Sequence, residues 1–121
     1  MFVRPARLGR SVQIVAWLVR DGEVLANLEE ASGRRANARG LLGRDDFDGV
    51  LKLKARSVHT FGMRFPIDVA FCDHDLRVRR VVTLRRNRLT RPSLTATFAL
   101  EAEAGTFREM GLRRGDQLEI R

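Results

Sequence analysis

Pro66-Ile67-Asp68-Val69-Ala70-Phe71-Cys72-Asp73 is the most apolar strand-like stretch of the chain, and its reading decides the fold. β-branched and aromatic residues alternate with smaller side chains, the pattern of an extended segment. Ile67, Val69 and Phe71 share one face, and Asp68, Ala70 and Cys72 share the other. Asp73-His74-Asp75 then turns the chain. Residues 76–84 read as a returning strand with Leu76, Val78, Val82 and Leu84 on its inner face; Arg80 breaks that face and marks a bulge or a strand end. Residues 85–92 form a loop in which Pro92 has no N–H to give a ladder. Residues 96–103 alternate again, with Phe98, Leu100 and Ala102 inward and Glu101 opposite them. Thr106-Phe107-Arg108-Glu109 fits a capping box for a short helix that Gly111 stops, and residues 117–120 supply a last strand.

Toward the N-terminus, residues 50–54 alternate as a half-buried strand after an Asp45-Asp46-Phe47-Asp48-Gly49 loop. Ser32 to about Leu42 reads as the longer helix, with Ser32 as N-cap and with Gly33 and Gly40 weakening it by ~1 kcal/mol each. Residues 12–19 and 24–28 form a hairpin about Asp21-Gly22, a pair suited to positive φ. Residues 1–10 read as a flexible basic arm ahead of one globular domain, residues 11–121. The expected fold class is a strand-dominated α+β protein. Its small barrel-like, mixed or antiparallel sheet has six or seven short strands, with one longer and one short helix and no βαβ alternation.

The chain has 121 residues, enough for one domain and a core that needs no staples. Its 44% hydrophobic content excludes a disordered tail. The single Cys72 excludes an internal disulfide framework and a cysteine-based zinc site. No apolar run approaches the ~20 residues of a membrane span. Residues 4–19 resemble the basic and apolar parts of a signal peptide only faintly, because Gln13 interrupts a short run and no cleavage site follows; a cytoplasmic protein with a reduced thiol is expected. All basic residues except Lys52 and Lys54 are arginine, a ratio that fits codon usage, so the distribution of charge says more than its net value of +8. Arg77, Arg79, Arg80, Arg85, Arg86, Arg88 and Arg91 follow one another with no acid between them. That run suits an anionic ligand, an acidic protein or nucleic acid, and it equally suits a solvated face guarding a sheet edge. It contains no aromatic residue for base stacking and no nucleic-acid motif, so nucleic-acid binding through it would be weak and indifferent to sequence.

An ordered set of motifs narrows the reading. Gly40-Leu41-Leu42-Gly43-Arg44, Gly49-Val50-Leu51, Pro66-Ile67-Asp68-Val69-Ala70-Phe71, Leu100-Glu101-x-x-Ala104-Gly105 and Gly111-Leu112-x-x-Gly115-Asp116 occur in this order from about Val12 to Ile120. Together they resemble domain-of-unknown-function family 192. The resemblance implies a compact α+β fold with a strand-rich barrel and carries no catalytic assignment. The positions most characteristic of that family correspond here to Gly40, Arg44, Pro66, Asp68, Glu101, Gly105, Gly115 and Asp116. His59-Thr60-Phe61-Gly62-Met63 stands where many members carry Trp-Met-x-Asn-Thr, and Leu42 where a Met is usual.

The richest polar constellation is His59, Thr60, Met63 and Asp68. A histidine beside a hydroxyl and a carboxylate can serve as a general base or an oriented donor, if the chain bends at Gly62 so that Asp68 reaches His59. The plainer reading is an Asp68 that caps backbone N–H groups and a His59 packed under a loop. Glu101 with Arg44 or Arg39 could complete a ligand site or simply tie the helix to the sheet. Two histidines without metal-ligand spacing make no metal site, and no cofactor is expected. The absence of nucleotide-binding and serine-hydrolase motifs argues against those enzymes. The function expected is a non-enzymatic binding module for an anionic small ligand or acidic protein, using His59, Thr60, Met63, Asp68, Glu101 and Arg44. Nucleic-acid binding through the arginine run and an enzyme using His59 and Asp68 stand as the alternatives.

Overall fold

The computed structural model describes residues 15–121. The elements follow in the order β1 (Val15–Arg20), β2 (Glu23–Glu30), α1 (Gly33–Arg39), β3 (Val50–Lys54), β4 (Ile67–Cys72), β5 (Val78–Leu84), β6 (Phe98–Glu103), α2 (Thr106–Glu109) and β7 (Glu119–Ile120). They build a strand-dominated α+β fold whose seven-stranded sheet, ordered β5-β4-β6-β3-β2-β1-β7, curls into a half-barrel. The expected arm at residues 1–10, and residues 11–14 of the expected first strand, lie outside the described residues.

Every neighbouring pair of strands is antiparallel except β2 and β3, which run parallel with α1 as their crossover. The chain thus contains a single βαβ unit, in a mixed sheet that is otherwise antiparallel and without βαβ alternation, as expected. Its helix is too short to display a clear 3.6-residue period. The helix also stops at Arg39 rather than near Leu42, because Gly40 takes φ 55° and ψ −129°, a conformation costly for any residue with a Cβ. Ser32 precedes the helix in an extended conformation but gives it no side-chain cap bond. At the β1–β2 hairpin, Asp21 and Gly22 have φ of 52° and 79°, the paired positive values of a type I′ turn.

β4 is buried on both faces, which explains its near-continuous apolar character. Ile67, Val69 and Phe71 pack with Leu41, Leu53, Met63 and Ala99 on the α1 side of the sheet. Ala70 and Cys72 pack with Leu18, Leu28, Leu100 and Phe107 on the α2 side. Phe71 and Phe107 are fully buried, and each contributes about 1.5–3 kcal/mol of transfer free energy. Phe47, from the loop before β3, is buried in the α1-side core, and its N–H donates to Glu103 Oε2 at 3.0 Å.

Two expected core faces are corrected. Phe71 pairs with Arg80 but Cys72 pairs with Val78, so one extra residue, Arg79, bulges from β5. The alternation changes face there: Val78 packs on the α2 side, whereas Val82 and Leu84 pack on the α1 side. A single inner face for Leu76, Val78, Val82 and Leu84 therefore does not exist, and Arg80 lies over the Phe71 ring, its Cζ 4.6 Å from the centroid. Phe98 is half-buried at the sheet surface rather than inward, and Lys52 Nζ sits 4.1 Å from its ring centroid.

The capping box expected at α2 does not form, since neither Thr106 nor Glu109 supplies a side-chain cap. Asp68 of β4 replaces it. Its Oδ2 accepts from the N–H of Gly105 and of Phe107, both at 3.0 Å. Gly111, with φ 66°, lies just beyond the helix as expected, and Leu112 N–H donates to Phe107 O at 2.8 Å.

The curl brings the two ends of the sheet together at one corner. Val78 N–H donates to Asp116 O, Gly115 N–H to Val78 O, and Leu118 N–H to Leu76 O, at 2.8–3.0 Å. Arg20 reinforces this corner, donating to Asp116 Oδ2 at 2.9 Å and to the carbonyls of Met110 and Gly111. β7 is held beside β1 by reciprocal bonds between Trp17 and Arg121.

Candidate functional site

A cavity of about 610 Å³ opens between α1 and the segment that follows β3. α1 contributes Arg34, Asn37 and Arg39, the end of β3 contributes Lys54, the loop beyond it contributes Ser57, His59 and Met63, and β6 contributes Glu101. The volume is that of a small-molecule site. Arg34, Arg39 and Lys54 are exposed cations on its wall, whereas Glu101 is 3% exposed. Asn37 is held in place: its Oδ1 accepts from Lys54 N–H and its Nδ2 donates to Gly33 O, each at 2.6 Å. Arg39 Nε donates to Leu42 O at 3.0 Å.

Glu101 reaches the cavity because the helix ends over it in a glycine. A Cβ on Gly40 would lie 2.7 Å from Glu101 Oε1. The same oxygen accepts from Leu41 N–H at 3.3 Å. Burial pushes the Glu101 carboxyl up from its ordinary value of 4.5 to about 7, against the opposing pull of the Leu41 N–H and the charge of Arg44. The folded protein therefore holds this proton to higher pH than the unfolded chain does. The stability it contributes is complete below about pH 4.5 and is lost as pH rises through about 7. Glu101→Gln keeps an acceptor for Leu41 and removes the titration. In urea unfolding across this range, the variant is expected to lose the downward slope with pH that Glu101 gives the parent, and to be the more stable of the two at about pH 8. Parallel slopes for the two proteins would assign the titration to another group.

The remaining residues singled out from sequence divide between this cavity and the scaffold. His59 and Met63 line the cavity with Glu101. His59 Nδ1 accepts from Phe61 N–H at 3.2 Å, which leaves Nε2–H as the ring's donor. Thr60 is fully buried and organises the neighbouring loop: its hydroxyl donates to Arg85 O at 2.6 Å and accepts from Arg88 N–H at 2.9 Å. Asp68 projects on the α2 side, with its carboxylate occupied by Thr83 Oγ1 at 2.7 Å and by the two α2 amides. The structure does not bring it to His59. Arg44 donates through both terminal nitrogens to Glu29 Oε2 at 3.3 Å and lies over the Phe47 ring, so its charge acts on Glu101 from outside the cavity lining.

Structure also divides the arginine run. Arg77 donates to Gly115 O, Arg79 pairs with Asp73 at 3.2 Å, and Arg80 donates to Arg91 O while stacking on Phe71. These three serve the fold. Among the described residues, no acidic side chain pairs with Arg85, Arg86, Arg88 or Arg91, all of them exposed.

Sequence reasoning missed Arg34, Lys54 and Asn37 as cavity residues. The signal available was the pair of arginines on the expected helix, but their distance from His59 is set by the β2–α1–β3 crossover. Cys72 is fully buried, and burial, with the Asp73 charge beside it, pushes its thiol up to about 12, which leaves no thiolate for nucleophilic chemistry. Among the described residues, no three His, Cys, Asp or Glu side chains gather as metal ligands, and no helix is long and apolar enough to cross a membrane.

A curled seven-stranded half-barrel with one crossover helix, and a basic cavity between that helix and the loop beyond β3, defines the class of α+β domain. The chain belongs to the DUF192 family, described as Uncharacterized ACR, whose model matches residues 16–120. A search of the curated proteins finds no match. Solved structures of similar fold include a protein of unknown function from Novosphingobium aromaticivorans DSM 12444, 17% identical, with a TM-score of 0.75 over 97% of this chain and 93% of that one. Another, from Sinorhizobium meliloti 1021 and described as a "putative transcription regulator", is 21% identical, with a TM-score of 0.70 over 88% of this chain and 92% of that one. At these identities the likeness is one of fold alone.

Proposed function

We propose that the protein is a non-enzymatic binding module that takes a small anionic ligand, a carboxylate or a phosphate monoester, into the cavity beside α1. The observation that carries this reading is a cavity lined by three exposed cationic residues, Arg34, Arg39 and Lys54, together with a buried carboxyl, Glu101. Cations around a concave site concentrate an anion and orient it. A carboxyl with its proton affinity raised into the neutral range offers an O–H donor rather than a full opposing charge. His59 adds a ring N–H donor, and Met63 adds an apolar wall that adapts to the ligand. The enzyme reading on His59 and Asp68 loses its support, because the Asp68 oxygens are engaged on the other side of the sheet.

Titration calorimetry with inorganic phosphate, malate and glycerol 3-phosphate tests the proposal. At least one of these is expected to bind the parent, and Arg34→Glu with Lys54→Glu is expected to weaken it by more than about tenfold through like-charge repulsion. Both positions are exposed, so the fold tolerates the change. The absence of binding to all three, or equal binding by parent and variant, overturns the proposal.

A further inference from the structure

The loop of residues 85–91 folds against residues 56–62, and this supplies what the arginine run lacks in sequence. Thr60 N–H donates to Arg88 O, Asn87 N–H to Thr60 O, and Thr90 N–H to Val58 O, at 2.8–3.0 Å. His59 and Leu89 form an antiparallel bridge, so their side chains leave the same side of this ribbon. Val58, Thr60 and Thr90 are buried, which places His59 and Leu89 outward. The His59 ring stacks on Phe61, with centroids 5.4 Å apart and planes 24° from parallel. Phe61 is 51% exposed and Leu89 63% exposed, two of the largest apolar exposures among the described residues. The backbone that carries Arg85, Arg86 and Arg88 wraps around Thr60, between the two rings in sequence. An open aromatic stack therefore stands beside the backbone that carries these exposed arginines, with which no acidic side chain pairs among the described residues.

We propose that the stacked His59–Phe61 pair, with Arg85, Arg86, Arg88 and Arg91, forms a docking surface for single-stranded nucleic acid, whose bases stack on Phe61 while its phosphates meet the guanidiniums. Charge complementarity alone fits any polyanion. The exposed ring stack selects among them, because a planar, unpaired base extends it and a glutamate-rich peptide has nothing planar to add. A duplex keeps its bases stacked on one another and offers this surface only phosphates.

Fluorescence anisotropy of the full chain at low salt, with a labelled oligouridine of about 12 nucleotides, reads the binding. Binding is expected, with a log–log salt slope near −3 if four phosphates are engaged. Phe61→Ala, at an exposed position, is expected to weaken it about tenfold or more. Arg86→Ser is expected to reduce the slope by about 0.7. The same length of duplex and a polyglutamate peptide should bind more weakly than the single strand. No binding, an unchanged affinity in Phe61→Ala, or a preference for duplex or peptide each overturns the proposal.

Discussion

Replacing Asp68 with alanine is expected to lower the unfolding free energy by about 4 kcal/mol, because each of two stranded N–H donors costs ~1–3 kcal/mol. Those donors are the amides of Gly105 and Phe107 at the start of α2. The third partner, the Thr83 hydroxyl, can turn to solvent and adds little. Asp68→Asn should be milder, about 1–2 kcal/mol. Its carbonyl can still accept from the α2 amides, while its NH₂ faces a hydroxyl able to reverse from donor to acceptor. Urea unfolding measures both. The expected order is parent, asparagine variant, alanine variant, and losses below about 1 kcal/mol in both variants would show that Asp68 does not hold α2 to the sheet.

Gly40→Ala is expected to cost about 3 kcal/mol, from two sources that can be separated. A Cβ at φ 55° and ψ −129° carries about 1–3 kcal/mol of backbone strain. It also meets Glu101 Oε1 at 2.7 Å, so the carboxyl must swing away and release Leu41 N–H. Removing that carboxyl first, with Glu101→Ala, relieves the second source and leaves the strain. In a double-mutant cycle the alanine at position 40 should therefore cost at least about 1 kcal/mol less in the Glu101→Ala background. Strict additivity would mean that the helix end does not rest on Glu101.

The alternation in residues 66–73 and 96–103 was enough to read the sheet, because a strand's two-residue period survives whatever it packs against. It failed at Arg79, where one additional residue turns every later side chain to the opposite face and leaves no local mark except a misplaced arginine. Thr106 and Glu109 had the right spacing for a capping box, yet the cap falls on Gly105: Glu109 N–H goes to Gly105 O, and Asp68, far away in sequence, accepts from the amides of Gly105 and Phe107. Glu101 was recognisable as unusual from its place in a strand, but the depth of its burial depends on Gly40 lying above it. The cavity was not legible at all. Arg34 on α1 and His59 on the following loop meet only because β2 and β3 run parallel. The seven arginines between 77 and 91 look alike as a string; which are occupied depends on Asp73, Gly115 and Phe71.

The pairing of Trp17 with Arg121 carries a consequence for synthesis. The first described strand pairs with residues 119–121, so those bonds form only after nearly the whole described chain has been made. Contacts this distant along the chain form late and slowly, and an unpaired strand held in waiting is a template for association with other chains. The short length of β7 limits how much of the β1 edge must be covered, and the arginine at position 20 supplies charge beside it in the interval.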